Sequence, residues 1–419
     1  MGVALDPGAF ALGARVPREV HAPQSVEALA DLLRACDARR EAVAFFGGST
    51  LQGLGNVPER YDAAVSLVNF TRTLEYEHRD LTIAVEAGVT VAALDATLAA
   101  QGQFVPLDAP HAGRSTVGGV LASGWLGPRR AAYGRPRDFV IGSTVVLADG
   151  TVAKAGGMVV KNVTGYDMSK LYVGSLGTLA AIVRANFKTL PLPELRRAAI
   201  AALPERTRER ALAHVLGLES EPAAALFITG FAEIDGRDGA EGRLFLLLEG
   251  SNALVQRATR ELRSSLGAAG LPSTTILDGE ANAAFARLLD AYVEPRAPAS
   301  VTYRSTGLIT DLVARHMTFA ALAREHELEL ETIADLRTGD FIARLSTPLK
   351  DHFAERILDY DPALRAALGN LWIVSSPAAL RERLPAWGAA PAALDKMRAL
   401  KARFDPNGIL APGRLVAGI

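Results

Sequence analysis

The chain has 419 residues, too many for a single hydrophobic core, and its 49% hydrophobic and 22% charged content is that of a folded globular protein. Its 45 basic and 46 acidic residues leave a net charge of −1, which excludes binding of nucleic acid or anionic lipid by global attraction. The single cysteine, Cys36, excludes an internal disulfide, and a zinc site or iron–sulfur cluster held by several thiolates of this chain alone.

Ser25 is placed to cap a helix running to about residue 39, with Val26, Leu29, Leu33 and Cys36 on one apolar face. That face makes Cys36 a core residue. Residues 42–46 read as a buried strand that delivers the chain into a first glycine-rich loop, Gly47-Gly-Ser-Thr50, followed by Gln52-Gly-Leu-Gly55. Further strands are expected over residues 63–67 and 81–86. Thr90 caps a second helix ending near Gln101, with Gly102 at the left-handed closing position. After Pro106 and Pro110 comes a second small-residue run, Ser115-Thr-Val-Gly-Gly-Val-Leu-Ala-Ser-Gly124. Gly118 and Gly119 cost a helix or strand backbone entropy, so such a run implies close approach to something. For the first loop the simplest reading is a sharp strand-to-helix turn; for the second it is tight helix packing. Two such loops, each after extended chain, point together to a diphosphate held by main-chain N–H groups.

Residues 140–148, Asp149-Gly150 and a return strand read as a hairpin. A strand over 179–190 ends at Pro191 and Pro193, which mark a boundary. Beyond it the order strand 198–203, helix 206–218, strands 223–231 and 243–249, helix 254–266 and strand 273–277 is βαββαβ. After an extra helix near 281–292 the order recurs, from strand 299–304 to strand 371–374. This predicts two ferredoxin-like units, antiparallel sheets backed by helices. A last helix over 389–403 leads into Phe404-Asp-Pro-Asn-Gly-Ile-Leu-Ala-Pro-Gly-Arg414.

Several chemistries are disfavoured. Neither loop carries the Gly-Lys-Ser/Thr of a phosphate-binding P-loop or the Gly-x-Gly-x-x-Gly of a Rossmann fold, and Val173-Gly-Ser-Leu-Gly177 lacks the first glycine of a nucleophile elbow. The seven histidines form no metal pair at helical spacing. Arg129, Arg130, Arg135 and Arg137 read either as a solvated loop paired with Asp138 or as a docking surface. Asp167 reads as a first-turn helix cap. Residues 1–13 carry Asp6 and Pro7 and no basic segment, so they do not read as a secretory signal. No apolar run approaches the ~18 residues of a membrane span. The expectation is a cytoplasmic protein, with room for peripheral association at the inner membrane.

The two loops, Ala132-Tyr-Gly-Arg-Pro-Arg-Asp138, Val145-Val-Leu-Ala-Asp-Gly150, Gly165-Tyr-Asp167 and Gly174-Ser-Leu-Gly-Thr-Leu179 occur in the order found in FAD-binding domains of the PCMH type, the vanillyl-alcohol oxidase superfamily. The string Lys161-Asn-Val-Thr-Gly-Tyr-Asp-Met-Ser-Lys-Leu171 is most similar to the FAD-binding E-subunit family of glycolate oxidases, and the tail resembles that family's flavin-proximal ending. The resemblance implies FAD. It places Gly47, Gly48, Ser49 and Thr50 on the pyrophosphate, and Ser115, Thr116, Gly118, Gly119, Ser123 and Gly124 along the diphosphate and flavin edge. It sets Pro106 near the isoalloxazine and the backbone from Gly177 to Ile182 near the ribose and adenine. The first loop lacks the histidine that some relatives use for covalent attachment, so noncovalent FAD is expected. Ala411 stands where many relatives have Asn.

By the same resemblance, Arg304, in Val301-Thr-Tyr-Arg-Ser305, matches a strand arginine of the E-subunit cap. It is read either as a catalytic-site clamp for a carboxylate or as a surface ion pair. The expected fold class is α+β: a PCMH-type FAD domain over 1–194, an antiparallel-sheet cap over 195–388, and a C-terminal segment, 389–419, returning to the FAD domain. The expected function is the FAD-binding subunit of a glycolate oxidase complex, taking a small 2-hydroxy acid, glycolate, to glyoxylate. Its expected partners are a paralogous FAD subunit and an iron–sulfur subunit. The His-x-Gly-Asp-Gly-Asn motif of self-sufficient hydroxy-acid dehydrogenases is missing. Two alternatives therefore stand beside this reading: an FAD-holding scaffold, and a stand-alone oxidase of another alcohol or sugar acid.

Overall fold

The computed structural model describes all residues except 1–4, 160–164, 235–241, 272–273, 297–298 and 349–351. Lys161 to Thr164 of the family-like string, and Ser273 of an expected strand, therefore lie outside the described residues. The chain forms two units. One comprises Met1–Leu126, Arg135–Pro191 and Pro377–Ile419; the other comprises Gly127–Gly134 and Leu192–Ser376.

In the first unit, β1 (Glu19–His21), α1 (Val26–Arg39), β2 (Val43–Phe46) and β3 (Ala63–Ser66) build a small parallel sheet in the order β1-β3-β2. Ser25 caps α1 by accepting from the Ala28 N–H, and Leu29, Leu33 and the buried Cys36 pack on the sheet. The C-terminal tail extends this sheet: the Val43 N–H donates to Ile409 O at 2.7 Å and the Ala411 N–H to Val43 O at 2.8 Å. Ahead of it, the helix Leu394–Phe404 is latched by Lys401, whose Nζ donates to Thr178 O, Leu410 O and Asp405.

A second, antiparallel sheet holds β4 (Thr73–Glu77), β5 (Thr82–Glu86), β6 (Val140–Val146), β7 (Val152–Gly156) and β8 (Ala181–Lys188) in the order β4-β5-β8-β6-β7. The β6–β7 hairpin turns at Gly150, with φ of 79°. In the chain between β5 and β6 come α2 (Val91–Ala99), capped by Thr90, and α3 (Val117–Ser123), capped by Thr116 and closed by Gly124 with φ of 61°. The second small-residue run is thus mainly a short helix. Gly118 lets it approach the sheet, since a Cβ there would lie 2.7 Å from that of Ala87.

The second unit carries one eight-stranded sheet. Its strands are β9 (Leu195–Leu203), β10 (Ala224–Thr229), β11 (Gly242–Gly250), β12 (Thr274–Leu277), β13 (Ser300–Thr306), β14 (Glu329–Asp335), β15 (Asp340–Ser346) and β16 (Leu371–Ser375), ordered β12-β9-β11-β10-β14-β15-β13-β16. Each half has the ferredoxin-like strand order, and the two join edge to edge through β10 and β14. Tyr303, Phe319, Phe341 and Tyr360 fill the layer between the second half and its helices, Leu312–Glu325 and Phe353–Ala367.

This unit also contains Gly127–Gly134, which corrects both readings of the arginine cluster. Arg129 is buried and pairs at 3.2 Å with Glu249, which also accepts from Tyr133 at 2.8 Å; Arg130 pairs with Asp340 at 2.9 Å. A dry carboxylate attracts a guanidinium more strongly than a solvated one does, so these two arginines are internal ties and not a docking surface. Only Arg135 and Arg137 of the four are exposed, and Asp138 accepts from the Arg135 main-chain N–H.

Candidate functional site

One open cleft in the first unit, with about 780 Å³ of empty space, gathers the tip of β2, the first loop, α3 and the start of β8. Gly47, Gly48, Ser49, Thr50, Thr116, Gly118, Gly119, Ser123, Gly177 and Ile182 all line it. The two loops therefore meet.

They meet through their smallest residues. A Cβ on Gly47 would lie 2.1 Å from Thr116 Oγ1, and one on Gly48 only 1.7 Å from Arg114 O. The Thr50 and Ser115 hydroxyls are 2.6 Å apart. Part of the glycine requirement is thus loop against loop. Ser49 takes φ of 58°, strain of the kind kept where a loop must present its backbone.

The two loops differ in what they offer a ligand. Among the described residues, the N–H groups of Gly47, Gly48, Ser49 and Thr50 have no acceptor within the chain. Those of the second loop are used: Val117 donates to Val89 O, Gly118 to Ala87 O and Gly119 to Thr116 Oγ1. Ser123 donates to Val120 O. The first loop thus leaves its amides available to an anion, whereas the first amides of α3 are already used.

Three expected residues stand away from the cleft wall. Ser115 lies behind Thr50 and donates to Pro110 O. Gly124 closes α3 against Gly174, with 2.9 Å from a notional Cβ to the Gly174 Cα. Pro106 is buried in the segment after Phe104 and does not line the cleft. Arg304 belongs to the second unit, is 3% exposed, and meets Asp340 through Nε at 3.1 Å and through Nη2. A surface ion pair is not what forms, and Asp340 already accepts from the two-pronged edge a substrate carboxylate would need. Burial pushes the Asp340 carboxyl up, but Arg304 and Arg130 outweigh it and hold it below the usual range. Asp167 accepts from the Lys170 N–H at 3.4 Å but precedes Met168, the N-cap residue of the short helix Ser169–Tyr172, so it is not a first-turn cap.

The wall also includes Arg414, which the sequence reading did not single out. The tail motif was visible, but nothing in one sequence marks its last residue as cleft-lining, 362 positions from Gln52. Among the described residues no group of three or more His, Cys, Asp or Glu is arranged to hold a metal ion, and no helix is long and apolar enough to cross a membrane.

The site's residues fit a dinucleotide: bare amides at one end, a tight small-residue wall along one side, and a buried guanidinium in the same cleft. Comparison with known proteins agrees. Residues 17–156 match the family described as FAD binding domain. The chain is 27% identical over 429 residues to glycolate oxidase subunit GlcD of Bacillus subtilis, covering 96% of this chain and 89% of the relative. It is 34% identical over 198 residues to glycolate oxidase subunit GlcE of Escherichia coli, covering 47% of this chain and 53% of that one. The fold matches p-cresol methylhydroxylase with a TM-score of 0.73 at 15% identity, over 96% of this chain and 89% of the other.

Proposed function

Because the chain carries an FAD-binding domain of the PCMH type, within the vanillyl-alcohol oxidase superfamily of flavoenzymes, we propose that it is the FAD-binding redox subunit of a 2-hydroxy-acid oxidase of the glycolate oxidase kind. Glycolate is its substrate and glyoxylate the product. The observation that carries the reading is the convergence of the unpartnered amides of residues 47–50 with α3 in one cleft, together with full-length similarity to a glycolate oxidase subunit. Bound there, FAD supplies a two-electron acceptor for a hydroxy acid.

The chain's own residues bind and orient. The amides of Gly47, Gly48, Ser49 and Thr50 neutralise phosphate charge with dipoles, and the wall from Thr116 to Ser123 holds the remainder of the ligand by shape. Gly177 and Ile182 line the same cleft and are assigned to the ribose and adenine. Ser115 and Gly124 support the two loops from behind. A paralogous flavin subunit and an iron–sulfur subunit complete the complex in this reading, since a lone cysteine provides no cluster of its own.

The test uses the full chain purified from native extract, with flavin and iron measured in the same sample. It should be yellow, release intact FAD on denaturation, and bring iron with its partners. A colourless chain that takes up no added FAD overturns the proposal. The missing histidine motif favours a second reading, an FAD-holding scaffold. Anaerobic glycolate added to the isolated chain separates the two: bleaching excludes the scaffold.

A further inference from the structure

Two arginines sit beside the first loop without a carboxylate. Arg414 is 3% exposed; its Nη2 donates to Gln52 Oε1 at 2.8 Å and to Leu54 O at 2.9 Å, while its buried Nη1 has no acceptor among the described residues. Arg381 donates to Gln52 O at 2.9 Å, Gly53 O at 3.0 Å and Gly55 O at 3.3 Å. Among the described residues neither forms an ion pair. Burial, and then the neighbouring Arg381 charge, push Arg414 down to about 9; burial also lowers Arg381.

Arg129, Arg130 and Arg304 are tied to acids, Glu249 and Asp340, whereas the buried Arg315 of the second unit, like this pair, meets only carbonyls among the described residues, those of Ser305 and Leu308. Burying like charges without a counter-ion is costly, and carbonyl dipoles offset only part of it. The anchoring segment is the direct continuation of residues 47–50, whose amides are unpartnered. We propose that Arg414, positioned by Arg381, is the counter-charge for the diphosphate of the dinucleotide in this cleft. The proposal rests on FAD being the ligand. Two cations match the two negative charges of a diphosphate, and a guanidinium with a spare N–H edge suits phosphate oxygens better than an ammonium does.

The test compares wild type with Arg414→Met, Arg414→Lys and Arg381→Met as full-length apoproteins. Each is titrated with FAD, with inorganic pyrophosphate as competitor, and its unfolding midpoint is measured alongside. R414M should weaken FAD binding about 30-fold or more and abolish competition by pyrophosphate. R414K should recover part of the affinity, and R381M should show a smaller loss. FAD affinity within about threefold of wild type in R414M and R381M, with only the unfolding midpoint lowered, makes the pair a brace for the loop and overturns the inference. Should R414M not fold, Arg414→Gln, which also removes the charge, decides with R381M by the same criterion. A wild type that binds no FAD fails the proposed function instead, so the two failures are distinct.

Discussion

Thr50 Oγ1 stands 2.6 Å from Ser115 Oγ, joining two loops 65 residues apart in the chain. Ser115 spends its one proton on Pro110 O, so Thr50 is the donor between them. The Thr50 hydroxyl therefore fastens the loops together, which leaves its main-chain N–H as the group available to a ligand.

Removing either partner should loosen the cradle. Ser115→Ala leaves Pro110 O and the Thr50 hydroxyl without that partner and should cost about 1–3 kcal/mol; Thr50→Val should cost about 1 kcal/mol. The double mutant should show a coupling of about 0.5 kcal/mol or more in chemical denaturation. Strict additivity would mean that the two hydroxyls do not hold the loops.

Gly48 and Gly119 should respond oppositely to alanine. At Gly48 the new methyl meets Arg114 O at 1.7 Å, so Gly48→Ala should destabilise by about 3 kcal/mol or more and lose FAD. At Gly119 the new methyl would meet Thr116 Oγ1 at 3.1 Å and, among the described residues, nothing else within 4 Å beyond its own helix backbone and chain neighbours, and helix propensity favours alanine by up to about 1 kcal/mol. Gly119→Ala should keep or raise the unfolding midpoint yet weaken FAD, because it lines the cleft. Equal behaviour of the two variants in thermal unfolding would contradict this.

Asp340 should govern the acid stability of the second unit. Its folded pKa lies below its unfolded value, so its contribution is complete above the unfolded pKa of about 3.9 and disappears as pH falls through the folded value. Asp340→Asn takes that carboxylate from Arg304 and Arg130 and should cost about 3–5 kcal/mol at pH 7. The gap between variant and wild type should narrow toward pH 3. A gap that stays constant with pH would show that the pairing does not set the acid limb.

Lys401 should set how firmly the tail is held. Its Nζ reaches Thr178 O at 2.9 Å and Leu410 O at 2.7 Å, and the tail carries Arg414 to the cleft. Lys401→Met should cost about 3 kcal/mol and raise the FAD dissociation constant in parallel. Unchanged FAD binding in a destabilised variant would uncouple the latch from the site.

Much of this was written locally. The caps at Ser25 and Thr90, the Asp149-Gly150 turn and the repeated βαββαβ order each depend on a few neighbouring residues, and each appears where that chemistry places it. The strands Glu19–His21 and Thr73–Glu77 were not expected, because they are short, largely polar edges that exist through pairing with β3 and β5. The run from Ser115 to Gly124 looked like bare backbone but folds mainly as a helix whose first amides the protein uses itself.

By itself the sequence determined the main helices and strands apart from two polar edge strands and α3, together with the FAD-type loops and the glycines, because turn chemistry, apolar period and absent side chains act over a few residues. Tertiary structure decided which amides stay unpartnered, that Arg129 and Arg130 are internal, and that Arg414 reaches the cleft. Those outcomes depend on partners up to hundreds of positions away. Burial and pairing of a charge are properties of the assembled neighbourhood, and no local pattern encodes them.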